Sequence, residues 1–260
     1  MAPVTVGISI DVREKRYAGQ SGARPRTALR DLRACVAPSE FCVITGPSGC
    51  GKTTLLNIIA GLDRNFAGAL NFEPSDRGAP RIGYVFQSPR LLPWRTVREN
   101  VGLVLGRNAD PVELEGLLSD IGVADVADAY PVQLSGGMAR RAALARAFAI
   151  APDLLLMDEP FLSLDAAAAD RLRNLLLRLV STRPATVLFV THDLAEAVEL
   201  ADRILVLSPA PGRVVAEMPI ALARTERRDP DTLTMLRAKL ARLGDHARPL
   251  GCSTDPVAFP

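Results

Sequence analysis

The feature that most constrains this chain is a glycine-rich turn between an apolar run and a helical pattern. The turn, Gly46–Thr53, follows the apolar residues Phe41–Thr45 and fits the pattern GxxxxGK, then Ser or Thr, at every defined position. Glycines let the backbone bend so that successive N–H groups point inward, where they can cradle phosphate oxygens. The helical pattern of Lys52–Ala60 would add the positive end of a helix dipole. The sequence therefore predicts a strand, a phosphate cradle and a helix in that order.

The side chains of this turn predict what it binds. Lys52 would reach the β- and γ-phosphates of a nucleotide, and the Thr53 hydroxyl would bind Mg²⁺. We expect ATP and Mg²⁺ here, because the flanking strand and helix supply a context that a chance glycine turn would lack. The predicted nucleotide contacts in this segment are Gly46, Pro47, Ser48, Gly49, Cys50, Gly51, Lys52, Thr53 and Thr54.

The rest of the chain alternates between apolar strands and amphipathic helices. Strands are predicted at Leu154–Met157, Thr186–Val190 and Arg203–Leu207, with helices between them. This alternation predicts an α/β fold with a parallel sheet and helices on both faces. The helix-rich segment Ser88–Ala149 interrupts the alternation, and we interpret it as an inserted helical subdomain.

The N-terminal residues have a different pattern. Val4, Val6, Ile8 and Ile10 fall on one face of a predicted strand, and a Gly/Pro/Arg-rich hairpin loop leads to a second strand at Leu29–Val36. This pattern predicts an antiparallel β subdomain at the N-terminus.

Two adjacent carboxylates follow the buried strand Leu154–Met157. Ligands of open α/β sheets bind at the carboxyl ends of the strands, so Asp158 and Glu159 fall where a nucleotide would lie. Adjacent strand residues point to opposite faces, so the two carboxylates should have different roles. We predict that Asp158 holds Mg²⁺ and that Glu159 polarises the attacking water as the catalytic base.

The most specific motif is Gln133–Met138, which reads QLSGGM. It resembles the signature motif of the ABC ATPases, usually LSGGQ, and lies between the cradle and the acid pair, in the order of that family. Two glycines at a helix N-terminus free backbone N–H groups to meet an anion. Met138 replaces the usual glutamine, and Arg140 stands where a second glutamine is common, but the anion-binding part, Ser135–Gly137, is kept.

Four further positions agree with this family. Gln87 resembles its Q-loop glutamine, Asp165 the aspartate of its D-loop, and His192 its switch histidine. Tyr17 lies where the family places an aromatic residue that stacks on adenine. The resemblance covers roughly Val4–Pro219, nearly the whole chain.

The resemblance implies a P-loop NTPase core, with an ATPase domain over residues 1–221, its helical subdomain over 88–149, and a C-terminal helix and tail over 222–260. The implied nucleotide contacts outside the cradle are Tyr17, Gln87, Ser135, Gly136, Gly137, Asp158 and Asp165. The implied metal ligands are Thr53, Gln87 and Asp158, and the implied catalytic residues are Lys52, Gln87, Glu159 and His192.

The resemblance also implies partners. In this family the signature of one protomer faces the cradle of another across ATP, which implies a homodimer or a dimer with a similar ATPase. Transmembrane permease subunits and, through them, a substrate-binding protein are expected, with this chain peripheral on the cytoplasmic face of the inner membrane. Two segments are similar to the branch that imports nitrate, taurine, alkanesulfonates and related small organic anions: Leu92–Trp94 followed by Thr96–Val97, and Ser208–Pro209 with Pro211–Arg213.

Several other classes of protein fit this sequence less well. The formal net charge of +2 argues against a nucleic-acid partner, and no apolar run approaches the roughly 18 residues of a spanning helix. A P-loop kinase would lack Leu134–Gly137. A non-transport ABC ATPase or an exporter subunit remains the alternative, although the second ATPase domain of translation-type members and the long coiled coil of repair-type members are missing.

Overall fold

The computed structural model describes residues 5–19, 25–73, 79–106, 110–224 and 226–245. The chain divides into two units. The signature unit comprises Met1–Val6, Pro38–Glu40 and Pro74–Val190, and the cradle unit comprises Gly7–Ala37, Phe41–Glu73 and Thr191–Pro260. Within the described residues, no helix combines the length and apolar character that crossing a bilayer requires.

In chain order the strands are β1 (Ile8–Tyr17), β2 (Arg26–Val36), β3 (Phe41–Thr45), β4 (Ala67–Phe72), β5 (Ile82–Val85), β6 (Leu154–Asp158), β7 (Thr186–Val190), β8 (Arg203–Leu207) and β9 (Val214–Pro219). The α-helices are α1 (Lys52–Ile59), α2 (Val97–Gly102), α3 (Pro111–Ile121), α4 (Gly136–Ala149), α5 (Ala166–Thr182), α6 (Leu194–Leu200) and α7 (Pro230–Asp245). Short 3-10 turns occur at Ala124–Val126, Pro131–Gln133 and Glu226–Arg228.

An antiparallel sheet begins the cradle unit, with β1 between β2 and β4. Ile8, Ile10 and Val12 are buried and alternate with more exposed neighbours, so they form the core face of β1. The register between β1 and β4 shifts between Val12 and Glu14. Such a shift changes the direction of the side chains that follow it, so the alternation of β1 is broken and Lys15, rather than Glu14, is buried.

The cradle unit also contains strands that are buried along nearly their whole length. β3 is parallel to β8, and β9 is antiparallel to β8. Every residue of β3 is buried, which explains why its sequence is continuously apolar rather than alternating. The chain passes from the carboxyl end of β3 through the turn at 46–51 into α1.

The signature unit contains the parallel strands β5, β6 and β7, with β6 in the middle. The buried Asp153 fixes the start of this arrangement, because its carboxylate accepts hydrogen bonds from the backbone N–H and the guanidinium of Arg81 at 2.8 and 2.9 Å. The register pairs Val85 with Met157. The residues that follow β5 and β6 therefore emerge at the same edge of the unit.

The long apolar or periodic segments adopt the secondary structure that the sequence predicts. The predicted strands at 41–45, 186–190 and 203–207 are confirmed to the residue. The predicted antiparallel pair at the N-terminus is confirmed, but β1 begins only at Ile8, after Val6, and β2 begins at Arg26 rather than Leu29. β4, β5, β9 and α2 were not predicted. Val4 and residues 20–24 of the predicted hairpin loop lie outside the described residues. The described part of 88–149 contains helices and no strand, while its status as a subdomain of its own stays a prediction.

Candidate functional site

The cradle at Gly46–Thr53 has the predicted strand before it and the predicted helix after it. Gly51 has a φ of 104°, and a Cβ atom there would lie 2.5 Å from the Leu29 side chain, so only glycine fits. Lys52 is buried, and its Nζ donates to the carbonyls of Gly46 at 2.8 Å and Pro47 at 3.1 Å. The loop therefore folds around an ammonium group held by neutral backbone oxygens.

These features fit a phosphate ligand. No ion pair among the described residues includes Lys52, so its buried charge is left for an anion. The first turn of α1 has no acidic residue, and no side chain caps it. Helix N-termini without a cap leave N–H donors that an anion can accept, and the helix dipole favours negative charge there. Thr53 is exposed and Thr54 is half-buried in this turn.

Tyr17 belongs to a polar cluster beside α1. Its hydroxyl lies 3.2 Å from Thr54 Oγ1 and 3.3 Å from Asp63 Oδ2. The Lys15 ammonium lies over its ring, 4.5 Å from the centroid, in a cation–π contact. Lys15 Nζ also lies 2.6 Å from Asp63 Oδ1 and donates to the carbonyl of Asn65. Burial would raise the pKa of Asp63, but the hydrogen bonds and charge of Lys15 and the backbone of Asn65 lower it. Tyr17 is thus fixed to the helix that follows the cradle, with 40% of its surface exposed.

Two residues that the sequence did not mark as site residues also contact the cradle. Arg26 Nη2 donates to the carbonyl of Gly49 at 2.8 Å. Gly212 packs so closely behind the loop that a Cβ atom there would lie 2.0 Å from the Cys50 carbonyl oxygen. In the sequence, Gly212 belongs to a segment similar to an importer branch, and Arg26, the first residue of β2, ends the Gly/Pro/Arg-rich stretch; neither pattern indicates a contact with the cradle.

His192 lies in the cradle unit and is exposed. The residues on both sides of it are fixed. The Thr191 hydroxyl hydrogen-bonds to Glu196 at 2.6 Å, and Asp193 caps α6 by accepting from Ala195 N–H at 2.7 Å. The structure therefore gives His192 an ordered backbone just before a helix.

In the signature unit, Gln87, Asp158 and Glu159 gather at one edge. β5 and β6 are parallel and in register, and these three residues lie at or just beyond their carboxyl ends. Asp158 is buried at 4% exposure. Burial and the negative charge of Asp158 raise the pKa of the nearby Tyr84 hydroxyl, so that phenol stays neutral.

Glu159 has an unusual backbone. Its φ is 44°, in the left-handed region, and its N–H donates to the Val190 carbonyl at 2.9 Å. A non-glycine residue in this region costs about 1–3 kcal/mol and persists where the surroundings enforce it, often at functional sites. The structure thus places the predicted catalytic base at a strained position.

The signature motif begins α4. Ser135 caps the helix, its Oγ accepting from the Met138 N–H at 3.3 Å, which leaves the hydroxyl proton to donate elsewhere. Cβ atoms added at Gly136 and Gly137 would meet nothing within 4 Å, so this first turn lies open. Asp165, the predicted D-loop residue, caps α5 by accepting from Ala168 N–H at 2.8 Å.

The amino-acid sequence matches a known protein family and several of its members. The profile of the ABC transporter family matches residues 29–162. The aliphatic sulfonates import ATP-binding protein SsuB 2 of Burkholderia cenocepacia is 46% identical over 244 residues, covering 90% of this chain and 88% of that protein. A protein of the same name from Pseudomonas aeruginosa is 45% identical over 219 residues, with coverages of 81% and 88%.

Solved structures agree as well. A dimeric post-hydrolysis state of the ATP-binding cassette MJ0796, bound to ADP and Pi, superposes with a TM-score of 0.70 at 31% identity, covering 83% of this chain and all of that one. The predicted fold class and the resemblance stated from the motifs are both confirmed. With a family profile over half its length and close relatives over most of it, this chain belongs to the ABC transporter family and is one of its ATP-binding subunits.

Proposed function

We propose that this chain hydrolyses ATP to drive the import of aliphatic sulfonates, or of closely related small organic anions, through a partner permease. The observation that carries the proposal is the extent of its likeness to the SsuB proteins, 46% identity over 90% of the chain. The relatives are named for import, which favours an importer over the exporter and non-transport alternatives. The proposal includes the predicted division of the chain. The ATPase domain would comprise residues 1–221, with its helical subdomain at 88–149, and the C-terminal helix and tail would comprise residues 222–260.

The residues of the cradle fit the triphosphate of ATP. Lys52 would bind the β- and γ-phosphates, with the N–H groups from Gly46 to Thr54 around them. Thr53, Gln87 and Asp158 would hold Mg²⁺, which neutralises charge on the phosphates when bound. Tyr17 would stack on the base.

Hydrolysis would use the residues after the strands. Glu159 would accept a proton from the attacking water, and Gln87 would orient that water. His192 would stabilise the negative charge that develops on the γ-phosphate. Ser135, Gly136 and Gly137 would donate to the γ-phosphate of a second protomer, and Asp165 would couple the two sites.

Membrane partners would bind the signature unit. Trp94 is 69% exposed and lies in the segment Ser88–Val101, after the predicted Q-loop residue, where members of this family receive a helix of the permease. Aromatic residues are enriched at the buried centres of protein interfaces, so the exposed tryptophan would anchor the permease. The chain would then lie on the cytoplasmic face of the membrane, held there by the permease.

A growth assay tests the transported solute. We expect that deleting the gene stops growth of the source organism on an alkanesulfonate as sole sulfur source and leaves growth on sulfate intact. Restoring the wild-type chain should rescue growth, and Lys52→Ala should not. Unimpaired growth on every alkanesulfonate tested would contradict the sulfonate assignment, and a defect confined to taurine or nitrate would reassign the solute.

A capture experiment tests the partner. Tagged Glu159→Gln with Mg-ATP should retain a multi-spanning permease from detergent-solubilised membranes, identified by mass spectrometry. Retention of soluble partners alone would contradict the transporter assignment and favour a non-transport ABC ATPase.

A further inference from the structure

Arg140 occupies a central position in the signature unit. It lies in the second turn of α4, just after the signature residues Ser135–Gly137. It is half-buried and lines a small, mostly apolar cavity with Phe86, Met157 and Phe161. Burying a guanidinium in such surroundings is unfavourable unless its donors are satisfied, so its hydrogen bonds explain why it is tolerated.

Those hydrogen bonds join three separate segments. Nη1 donates to the carbonyl of Pro160 at 2.8 Å and to the carbonyl of Gln87 at 3.2 Å. Nη2 donates to the carbonyl of Leu162. One side chain on the signature helix therefore holds the backbone at the predicted Q-loop residue and the turn that follows the predicted catalytic base.

The turn after Glu159 needs such support. Glu159 and Ser163, at its two ends, have φ values of 44° and 64°, both in the left-handed region. Strained backbone conformations persist only where the surroundings enforce them. Inside the turn, Leu162 N–H donates to the Glu159 carbonyl at 3.1 Å, and the carbonyls of Pro160 and Leu162 accept from Arg140.

The geometry of arginine suits this task. Its planar guanidinium carries five N–H donors in a fixed fork and remains charged, although burial lowers the pKa of Arg140. A glutamine, which is common at this position in the family, has two donors and a shorter reach. Lysine has the charge but only a single nitrogen, which cannot span three carbonyls as a fork does.

We propose that Arg140 is a positioning residue for ATP hydrolysis, whose guanidinium holds the Gln87 backbone and the Pro160–Leu162 turn in the arrangement that hydrolysis requires. The proposal rests on the roles proposed above for Gln87 and Glu159. Arg140 touches neither nucleotide nor water in this role. It acts through the loops that carry those residues, so it affects turnover and leaves ATP affinity alone.

The test compares Arg140→Met, which removes every donor, with Arg140→Lys, which keeps the charge on a single donating nitrogen. Phosphate release gives kcat, and titration with a fluorescent ATP analogue gives Kd, both well below the midpoint of thermal unfolding. We expect kcat to fall at least tenfold in Arg140→Met and by less in Arg140→Lys, with Kd within twofold of wild type in both. A merely structural role would lower the unfolding midpoint and leave kcat per folded molecule unchanged.

Arg178→Met is the matched control, because Arg178 donates one long hydrogen bond, 3.4 Å, to the Asp120 carbonyl on the surface of the same unit. It should leave kcat and Kd unchanged. Wild-type kcat in folded Arg140→Met would overturn the proposal; if that variant does not fold, wild-type kcat in Arg140→Lys would do so. Glu159→Gln serves as the reference: if it also turned over ATP normally, the proposed hydrolytic role itself would fail.

Discussion

At the scale of single residues, Lys52 shows how the cradle prepares for phosphate. Its ammonium is buried, donates to two neutral carbonyls at 2.8 and 3.1 Å, and lies 3.8 Å from the Cys50 Sγ. We predict that Lys52→Ala lowers kcat/KM for ATP by at least about 100-fold, because a preorganised charge at the transferred phosphate is lost. The rate of phosphate release at a series of ATP concentrations measures kcat/KM. Lys239→Ala, at an exposed position on α7, is the control, and residual turnover near the wild-type level would contradict the assignment of the cradle.

The ionisation of Asp63 should make the free energy of unfolding depend on pH. Burial opposes its ionisation, but the hydrogen bonds of Lys15, the Asn65 backbone and Tyr17, with the charge of Lys15, together lower its folded pKa, so its ionised form stabilises the fold. That contribution is present above the unfolded pKa, about 3.9, and is lost as the pH falls through the lower folded value. Asp63→Asn should therefore lower the free energy of unfolding at pH 7 by about 1–3 kcal/mol, because it leaves Lys15 buried without its partner.

Urea unfolding at pH 7 and again near pH 3 measures this effect, and the difference between variant and wild type should shrink at the lower pH. Asp120→Asn removes an exposed pair with Arg183 and should change stability by less than about 0.5 kcal/mol. A difference that stayed constant with pH would show that Asp63 contributes through packing rather than charge.

At the scale of elements, the strand β2 and the turn before β9 support the cradle from behind. Gly212 N–H donates to the Ala28 carbonyl at 2.9 Å, and Arg30 N–H donates to the Gly212 carbonyl at 3.1 Å. These bonds fix Gly212 where a methyl group would overlap the Cys50 carbonyl at 2.0 Å. The conformation of the phosphate-binding turn thus depends on an element about 160 residues further along the chain.

We predict that Gly212→Ala displaces the cradle and weakens ATP binding at least about tenfold, with a loss of stability of about 1–3 kcal/mol, because the backbone must move away from the added methyl group. Fluorescence titration and urea unfolding measure the two effects. Gly116→Ala is the matched control: a methyl group there meets nothing within 4 Å, and alanine in the interior of α3 should stabilise by about 0.5–1 kcal/mol. ATP affinity equal to wild type in Gly212→Ala would contradict the proposed support.

The same elements explain what the sequence could and could not predict. β3 and β7 are buried throughout, so their continuous apolar runs marked them to the residue. Three of the six residues of β4 are glycine or alanine and none of the six is buried, so its pairing with β1 decides its structure more than its own pattern does. The cradle, the acid pair and the signature followed from motifs, whereas the contacts of Arg26 and Arg140 depend on tertiary placement that no local pattern encodes.

At the scale of the whole molecule, one chain has one cradle and one signature motif, and the first turn of the signature helix is open. A solved structure with a TM-score of 0.70 to this chain is a dimer bound to ADP and Pi. If ATP joins two protomers in this way, it acts as a ligand that binds the dimer better than the monomer, and hydrolysis removes that preference. Blocking hydrolysis should therefore make the dimer accumulate.

We predict that Glu159→Gln binds Mg-ATP, hydrolyses it at least about 100-fold more slowly than wild type, and doubles its mass in light scattering when ATP is added, because the base is lost and the phosphate ligands remain. ADP, or ATP with EDTA, should leave it monomeric. Adding Gly137→Glu to this variant should abolish the dimer, since the new side chain enters open space and so spares the fold, while its charge repels the γ-phosphate. A Glu159→Gln protein that binds ATP and stays monomeric would show that this chain pairs only with a different ATPase or does not form the composite site. A double variant with Gly137→Glu that still dimerises would show that the phosphate contact lies elsewhere than on the signature helix.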